Sequence, residues 1–261
     1  MPIVAAGILS NNPLLLPGLS DEAHGLVTKT NQAATKLGKK IAEHKPDIIL
    51  FITTIKQSNP TVGFSFLQQP NFPYEFNELG DLITNGTARG AIGFVHRLKE
   101  HLETSFPIPL ITQKRLPFNF AIPLVSLGQT LNEIPLAALI IPNSPTPDQL
   151  QKLARALNEE LSVSAEKIAL IVAGDLAETN KKYASEAKIF NQHFNTACQS
   201  TQPAQELINL QEGLRQNTNE SLWASTTLLY LTLGEKKSTT EILSYETQAN
   251  TGLLVAYIGL N

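Results

Sequence analysis

Asp47-Ile48-Ile49-Leu50-Phe51-Ile52-Thr53-Thr54 is a continuous, β-branched apolar run with no polar alternation. A strand with one wet face alternates. A run that does not is expected of a central strand buried on both faces, as in a parallel sheet covered by helices. Residues 3–9 form a second apolar run of strand length, and residues 20–44 between the two read as a helix. Ser20 is its N-cap, with Asp21 and Glu22 in the first turn, where the helix dipole favours acids. Val27, Ala34, Leu37 and Ile41 space out an apolar face, Lys39 and Lys40 stand near the C-terminal end, and Lys45-Pro46 stops the helix. A strand–helix–strand unit of this kind implies parallel pairing through a right-handed crossover.

The pattern repeats downstream. Residues 136–141 and 167–173 are two further core strands, separated by a helix over 147–161 that Pro147 opens. Residues 56–79 form a long irregular stretch with Pro60, Pro70 and Pro73, carrying a short strand over 62–66; connections of this length are often functional. Residues 81–103 read as a helix, with Ala91, Phe94, Val95, Leu98 and Leu102 on one face, and 108–112 and 121–127 as short strands. Helices over 182–199, 204–211 and 218–233 and strands over 240–245 and 253–259 complete the chain. There is no internal repeat, low-complexity tract or linker. The expected fold class is α/β: a single three-layer domain over residues 1–261, with a mostly parallel central sheet and helices on both faces.

Composition narrows the function. The 261 residues are 42% hydrophobic, enough for a large core, and the net charge of −3 is spread without a basic stripe. Nucleic acid is therefore not an expected partner. The lone cysteine, Cys198, excludes an internal disulfide framework and a Cys-based metal cluster. The opening apolar run has no basic region before it, and no run approaches the ~20 apolar residues needed to cross a bilayer. A cytoplasmic protein without a membrane partner is expected.

In open α/β sheets ligands bind outside the carboxyl ends of the strands. Three groups stand there: Asn11 and Asn12 after the first strand, Thr53-Thr54-Ile55 after the second, and Asp175 with Glu178 after Ala173. Glu246, just before the last strand, is a fourth. Each has an ordinary structural explanation beside the functional one. An asparagine next to Pro13 commonly forms an Asx turn, Asp175 can cap backbone amides after Gly174, Glu178 can be a solvated loop side chain, and Glu246 can be an exposed strand-start residue. The five histidines all fall in predicted helices. His96 and His101 are five apart, which is not the i, i+4 spacing of ligands on one helical face. No Gly-rich phosphate loop, Gly-x-Ser-x-Gly or His-Glu-x-x-His motif is present.

Five pieces, in order along the chain, carry a resemblance. They are Gly7 to Pro17, the Lys45-Pro46-Asp47 strand entry, Phe76-Asn77-Glu78-Leu79-Gly80-Asp81, Ala173-Gly174-Asp175-Leu176-Ala177-Glu178, and Tyr245-Glu246 followed by Gly252-Leu253-Leu254-Val255-Ala256. Together they resemble the LigB-type catalytic subunit of class III extradiol ring-cleavage dioxygenases and the related Memo-like proteins. The resemblance implies Fe2+ held by two histidines and a glutamate, with a further histidine as acid/base. At the first ligand position this chain has Asn11, and at the second Ile55. At the acid/base position it has Glu178, and Phe118 replaces a further histidine. Only Glu246 is left. An amide oxygen is a poor substitute for imidazole at Fe(II), and Ile has no donor.

The expectation is a divergent member that has lost the Fe(II)-binding histidines. Its pocket positions are Asn11, Asn12, Ile55, Phe118, Asp175, Glu178 and Glu246, with no resident metal or cofactor. Its role is that of a non-catalytic binding or partner subunit, for a small-molecule ligand or in a homo- or hetero-oligomer with a related subunit. Two alternatives stay open. One is an enzyme with carboxylate-based chemistry in the same pocket, Glu178 acting as general base or the oxygen donors sharing a hard cation. The other is a working extradiol dioxygenase-like oxidoreductase in which two of the five histidines reach one site.

Overall fold

The computed structural model describes residues 2–55, 63–178, 183–210, 212–216, 218–248 and 250–260. The strands are β1 (Ile3–Leu9), β2 (Ile48–Thr54), β3 (Ser65–Leu67), β4 (Asn71–Phe76), β5 (Asp81–Arg89), β6 (Leu110–Ile111), β7 (Leu136–Ile141), β8 (Ile168–Ala173), β9 (Ser238–Gln248) and β10 (Thr251–Leu260). The helices are α1 (Asp21–Leu26), α2 (Thr28–Glu43), α3 (Ile92–Leu102), α4 (Phe118–Ser126), α5 (Gln129–Asn132), α6 (Pro147–Val163), α7 (Ala184–Cys198), α8 (Pro203–Ile208), α9 (Glu212–Gln216) and α10 (Trp223–Leu233). Among the described residues, one sheet has the order β6-β3-β7-β2-β8-β1-β10-β9, and β4 and β5 form a separate two-stranded ribbon.

The fold is mixed α/β around a large, mostly parallel sheet. β7, β2, β8 and β1 run parallel, and β10 and β9 close one edge antiparallel. All seven residues of β2 and all six of β7 and of β8 are buried, which is why their sequences show no alternation. Successive residues serve opposite faces. Ile48, Leu50 and Ile52 of β2 enter one core cluster with Leu98 of α3, Leu153 of α6 and Phe190 of α7. Ile49 and Phe51 enter another with Leu37 of α2 and Phe120 of α4. Each such side chain, fully buried, contributes about 1.5–3 kcal/mol.

β1 and β2 share a direction, but they do not pair with each other. β8 lies between them and pairs in parallel with both. The expected helix over 20–44 is two helices. Ser20 caps the first, its side chain accepting from the Ala23 N–H, and Val27, at φ −127° and ψ 23°, interrupts the run.

Two other expectations are overturned. Residues 81–89 are strand β5, and the helix starts only at Ile92. The stretch Thr84-Asn85-Gly86-Thr87 is weak in helix propensity, and Asn85, Gly86 and Thr87 pair antiparallel with β4. The apolar run 121–127 is helical, not extended. Pro117 starts α4 and its carbonyl accepts from the N–H groups of Phe120 and Ala121 at 2.9 and 3.0 Å. Short apolar runs do not separate a buried helix from a strand. The predicted strand start at Val62, the helix bounds at Lys182 and Gln211, and the start of the irregular stretch at Lys56 lie outside the described residues. Within the stretch expected to be irregular the described residues form two strands, Ser65–Leu67 and Asn71–Phe76, and α10 begins at Trp223 rather than at 218.

Gly38 shows how closely α2 sits on α4. A Cβ there would stand 1.9 Å from the Leu127 carbonyl oxygen. Helix propensity alone makes Gly→Ala a gain of about 1 kcal/mol. Overpacking reverses the sign, so Gly38→Ala is expected to destabilise by about 1–3 kcal/mol in urea unfolding. A raised midpoint would contradict the packing.

Candidate functional site

The placement of β8 aligns three strand ends. Ala173 is opposite Leu9 on one side and Thr53 on the other. The Gly174 N–H donates to the Leu9 carbonyl at 3.1 Å, and the Thr53 hydroxyl donates to the Ala173 carbonyl at 2.9 Å. The residues that follow therefore emerge side by side at the carboxyl edge, the usual ligand-binding edge of such a sheet.

Asp175 is the centre of this row. Its carboxylate accepts from the hydroxyl of buried Ser10 and, at 3.4 Å, from the Asn12 amide. Its N–H donates to the Ser221 hydroxyl at 2.9 Å, and the Ser221 N–H donates to its carbonyl at 3.0 Å. Asn12 also accepts from the Leu14 N–H at 3.0 Å, capping the 3-10 turn Pro13–Leu15. This is the turn chemistry expected beside a proline. Asn11 is nearly buried, at 9% exposure.

The other named positions serve different neighbours. Ile55 packs on the apolar cluster that contains Phe51 and Leu116. Phe118 stacks at a tilt on Phe76, ring centroids 5.9 Å apart, and its neighbour Asn119 donates to the Thr54 carbonyl at 3.2 Å. Glu178 forms a bridge with Thr251, its N–H donates to the Thr218 carbonyl at 2.9 Å, and its carboxylate accepts from the Asn219 amide at 3.0 Å. Glu246 lies within β9, five residues before β10 begins, and stands opposite Leu253 of that last strand. It turns to α2, where its Oε2 accepts from the Thr30 hydroxyl at 2.6 Å and the Thr30 N–H at 3.0 Å. That N–H belongs to the first turn of α2, where a carboxylate is stabilised.

Asp175 and Asn12 are thus joined to each other, while the carboxylates of Glu178 and Glu246 are each engaged by a different element. Among the described residues, no group of three or more His, Cys, Asp or Glu could hold a metal ion. The donor set left at the positions the resemblance assigns to iron does not fit Fe(II): a neutral amide, an aliphatic side chain and a carboxylate held by Thr30. Two of the histidines are engaged elsewhere, His44 with the Tyr257 hydroxyl at 2.9 Å and His101 with Glu160 at 3.2 Å. Cys198 is buried and its thiol is pushed up to about 12 by that burial, so it packs rather than reacts.

Several partners were not visible in the sequence. Ser10 directly precedes Asn11, and its place at the strand end was the available signal. Ser221 is 46 residues from Asp175 in a segment expected to be helical, and Thr30 is 216 residues from Glu246. Beside the row is a cleft of about 620 Å3, lined by Asn143 and Ser144 after β7 and by Arg215, Asn219 and Glu220. The Arg215 guanidinium lies 3.5 Å from the Trp223 ring centroid. Burial lowers its pKa against the attraction of Glu220 and Glu212.

The loop that follows the row is clamped by Asp81. Its carboxylate accepts from the N–H groups of Gly18, Ile83 and Thr84 at 2.9, 3.1 and 2.8 Å. This joins the β4–β5 ribbon to the segment after Pro17.

No family model and no curated protein matches the chain. Among solved structures it is similar to an uncharacterized protein, JW3007, from Escherichia coli K12, with a TM-score of 0.67 and 16% identity over 98% of this chain and 99% of that one. At that identity the likeness concerns the fold.

Two outcomes follow from this geometry. Glu246→Ala leaves the Thr30 N–H and hydroxyl without their acceptor and is expected to cost about 1–3 kcal/mol in chemical unfolding; an unchanged midpoint would contradict the anchor. Burial works to raise the Asp81 carboxyl, but the bonds from Thr84, Gly18 and Ile83 outweigh it and hold its pKa below the ordinary 3.8. Its stabilisation is therefore complete above the unfolded-state value and is lost as pH falls through the lower folded-state value. Asp81→Asn is expected to lower stability at neutral pH and to flatten the acid limb of the pH–stability curve. Superimposable acid limbs for the two proteins would contradict the clamp.

Proposed function

We propose that the chain is a divergent LigB/Memo-like protein that has lost the Fe(II)-binding histidines and serves as a non-catalytic binding or partner subunit. One observation carries the proposal: the positions where iron ligands are expected are occupied by Asn11, Ile55 and Glu246, and the Glu246 carboxylate is engaged by Thr30. A metal-binding carboxylate needs its lone pairs directed at the ion; here Oε2 accepts twice from the first turn of a helix. On this proposal the chain is a single three-layer domain, a reading supported by the two core clusters that share the sheet strands. Its working place is the cytoplasm. Among the described residues, no helix is long and apolar enough to cross a membrane. Its partner is a small molecule or a related subunit.

A second reading, an enzyme with carboxylate-based chemistry, is favoured by one feature. Asn219, which donates to Glu178, also lines the 620 Å3 cleft. There Glu178 would act as a general base, with Asn219 orienting it.

An oxygen-electrode assay with catechol and added Fe(II) tests the first proposal. Oxygen uptake is expected to equal that of a protein-free control. Catalytic, catechol-dependent uptake would overturn it and return the chain to the extradiol dioxygenases.

A further inference from the structure

Helix α10 carries the chain away from the Asp175 row and ends in the turn Gly234-Glu235-Lys236-Lys237. The Gly234 N–H donates to the carbonyls of Tyr230 and Leu231, both at 3.2 Å, and Gly234 takes φ 62°. Polar residues in such a turn are expected to face water. Lys236 does not. Its Nζ is buried and, among the described residues, has no hydrogen-bond partner. An ammonium has three donors and no acceptor of its own, and a buried charge without a partner is unfavourable. An orphaned group of this kind in a folded protein calls for an explanation, and a bound ion is one.

The surroundings say which kind. Lys236 lines two adjoining clefts of about 700 and 810 Å3, which also share Leu231, Leu233 and Glu235 as walls. Both volumes suit a small molecule. Arg155 lines one cleft and Lys237 the other, while Glu235 lines both without bonding to the Lys236 ammonium. Among the described lining residues, three cations against one acid favour an anionic occupant. Burial also lowers the pKa of Lys236, an effect that an anion at Nζ would oppose.

We propose that these clefts bind a small molecule through an oxyanion group, phosphate or carboxylate, that supplies the missing partner of Lys236. The oxyanion accepts the Nζ donors, and Arg155 and Lys237 add attraction from either side. The site is separate from the Asp175 row and does not depend on the role proposed for it.

Isothermal titration of the full chain with inorganic phosphate, and in a second arm with acetate, tests this. Lys236→Met keeps most of the apolar stem and removes the charge; Lys114→Met removes an exposed lysine outside both clefts. One-to-one binding of at least one anion by the natural chain and by Lys114→Met is expected. The anion that binds identifies the group. Lys236→Met is expected to weaken binding about tenfold or more, the order of one charge-assisted hydrogen bond. Without anion, Lys236→Met is expected to melt no lower than the natural chain, because an orphaned donor has been removed. Absence of binding by the natural chain to either anion at about 10 mM, where a millimolar site is nearly filled, would overturn the proposal. So would equal binding by Lys236→Met.

Discussion

Asp175 hydrogen-bonds across the gap between two strand ends, and it can do so only because β8 sits between β1 and β2 with Ala173 level with Leu9 and Thr53. A slip of one residue would move every β8 side chain to the opposite face. Ile168, Leu170 and Val172 would then exchange places with Ala169, Ile171 and Ala173. The burial pattern of the sheet thus sets the register, and the register brings Ser10, Asn12 and Asp175 together. Ser221 ties this group to the entry of α10.

The same interaction limits what the edge can do. Asp175 is engaged by Ser10, Asn12 and Ser221, while Glu246 meets the first turn of α2 and Ile55 belongs to the core. Groups in these roles are held in place by the fold. A metal site needs two or three donors whose free lone pairs converge, and these side chains diverge toward separate partners. The adjoining cleft, with Arg215 over Trp223, offers space for a ligand beside this edge.

Much of the framework was legible in the sequence because burial on both faces leaves a local signature. The runs at β2, β7 and β8 needed no knowledge of their partners. The Ser20 cap was legible for a similar reason, since a serine followed by two acids acts on its own first turn. What was not legible depended on distant contacts. β5 is half exposed and exists by pairing with β4. The helix that follows it starts at Ile92 with no side-chain cap to announce it. The run around Ala121 is mostly apolar and fits either state by pattern alone; Pro117 starts it as a helix. At the site, the positions of Asn12 and Asp175 were visible at strand ends, but the bonds of Asp175 to Ser221 and of Glu246 to Thr30 span 46 and 216 residues. The burial of the Lys236 Nζ had no local sign either, since its turn is polar.

Among the described residues, the carboxyl edge of this sheet is a hydrogen-bonded network in which no group of three or more His, Cys, Asp or Glu could hold a metal ion. Elemental analysis by mass spectrometry of the full-length protein, purified without chelators from cells supplied with iron, tests it most directly. Iron and other transition metals well below one atom per chain are the predicted result. One stoichiometric iron per chain would contradict the account.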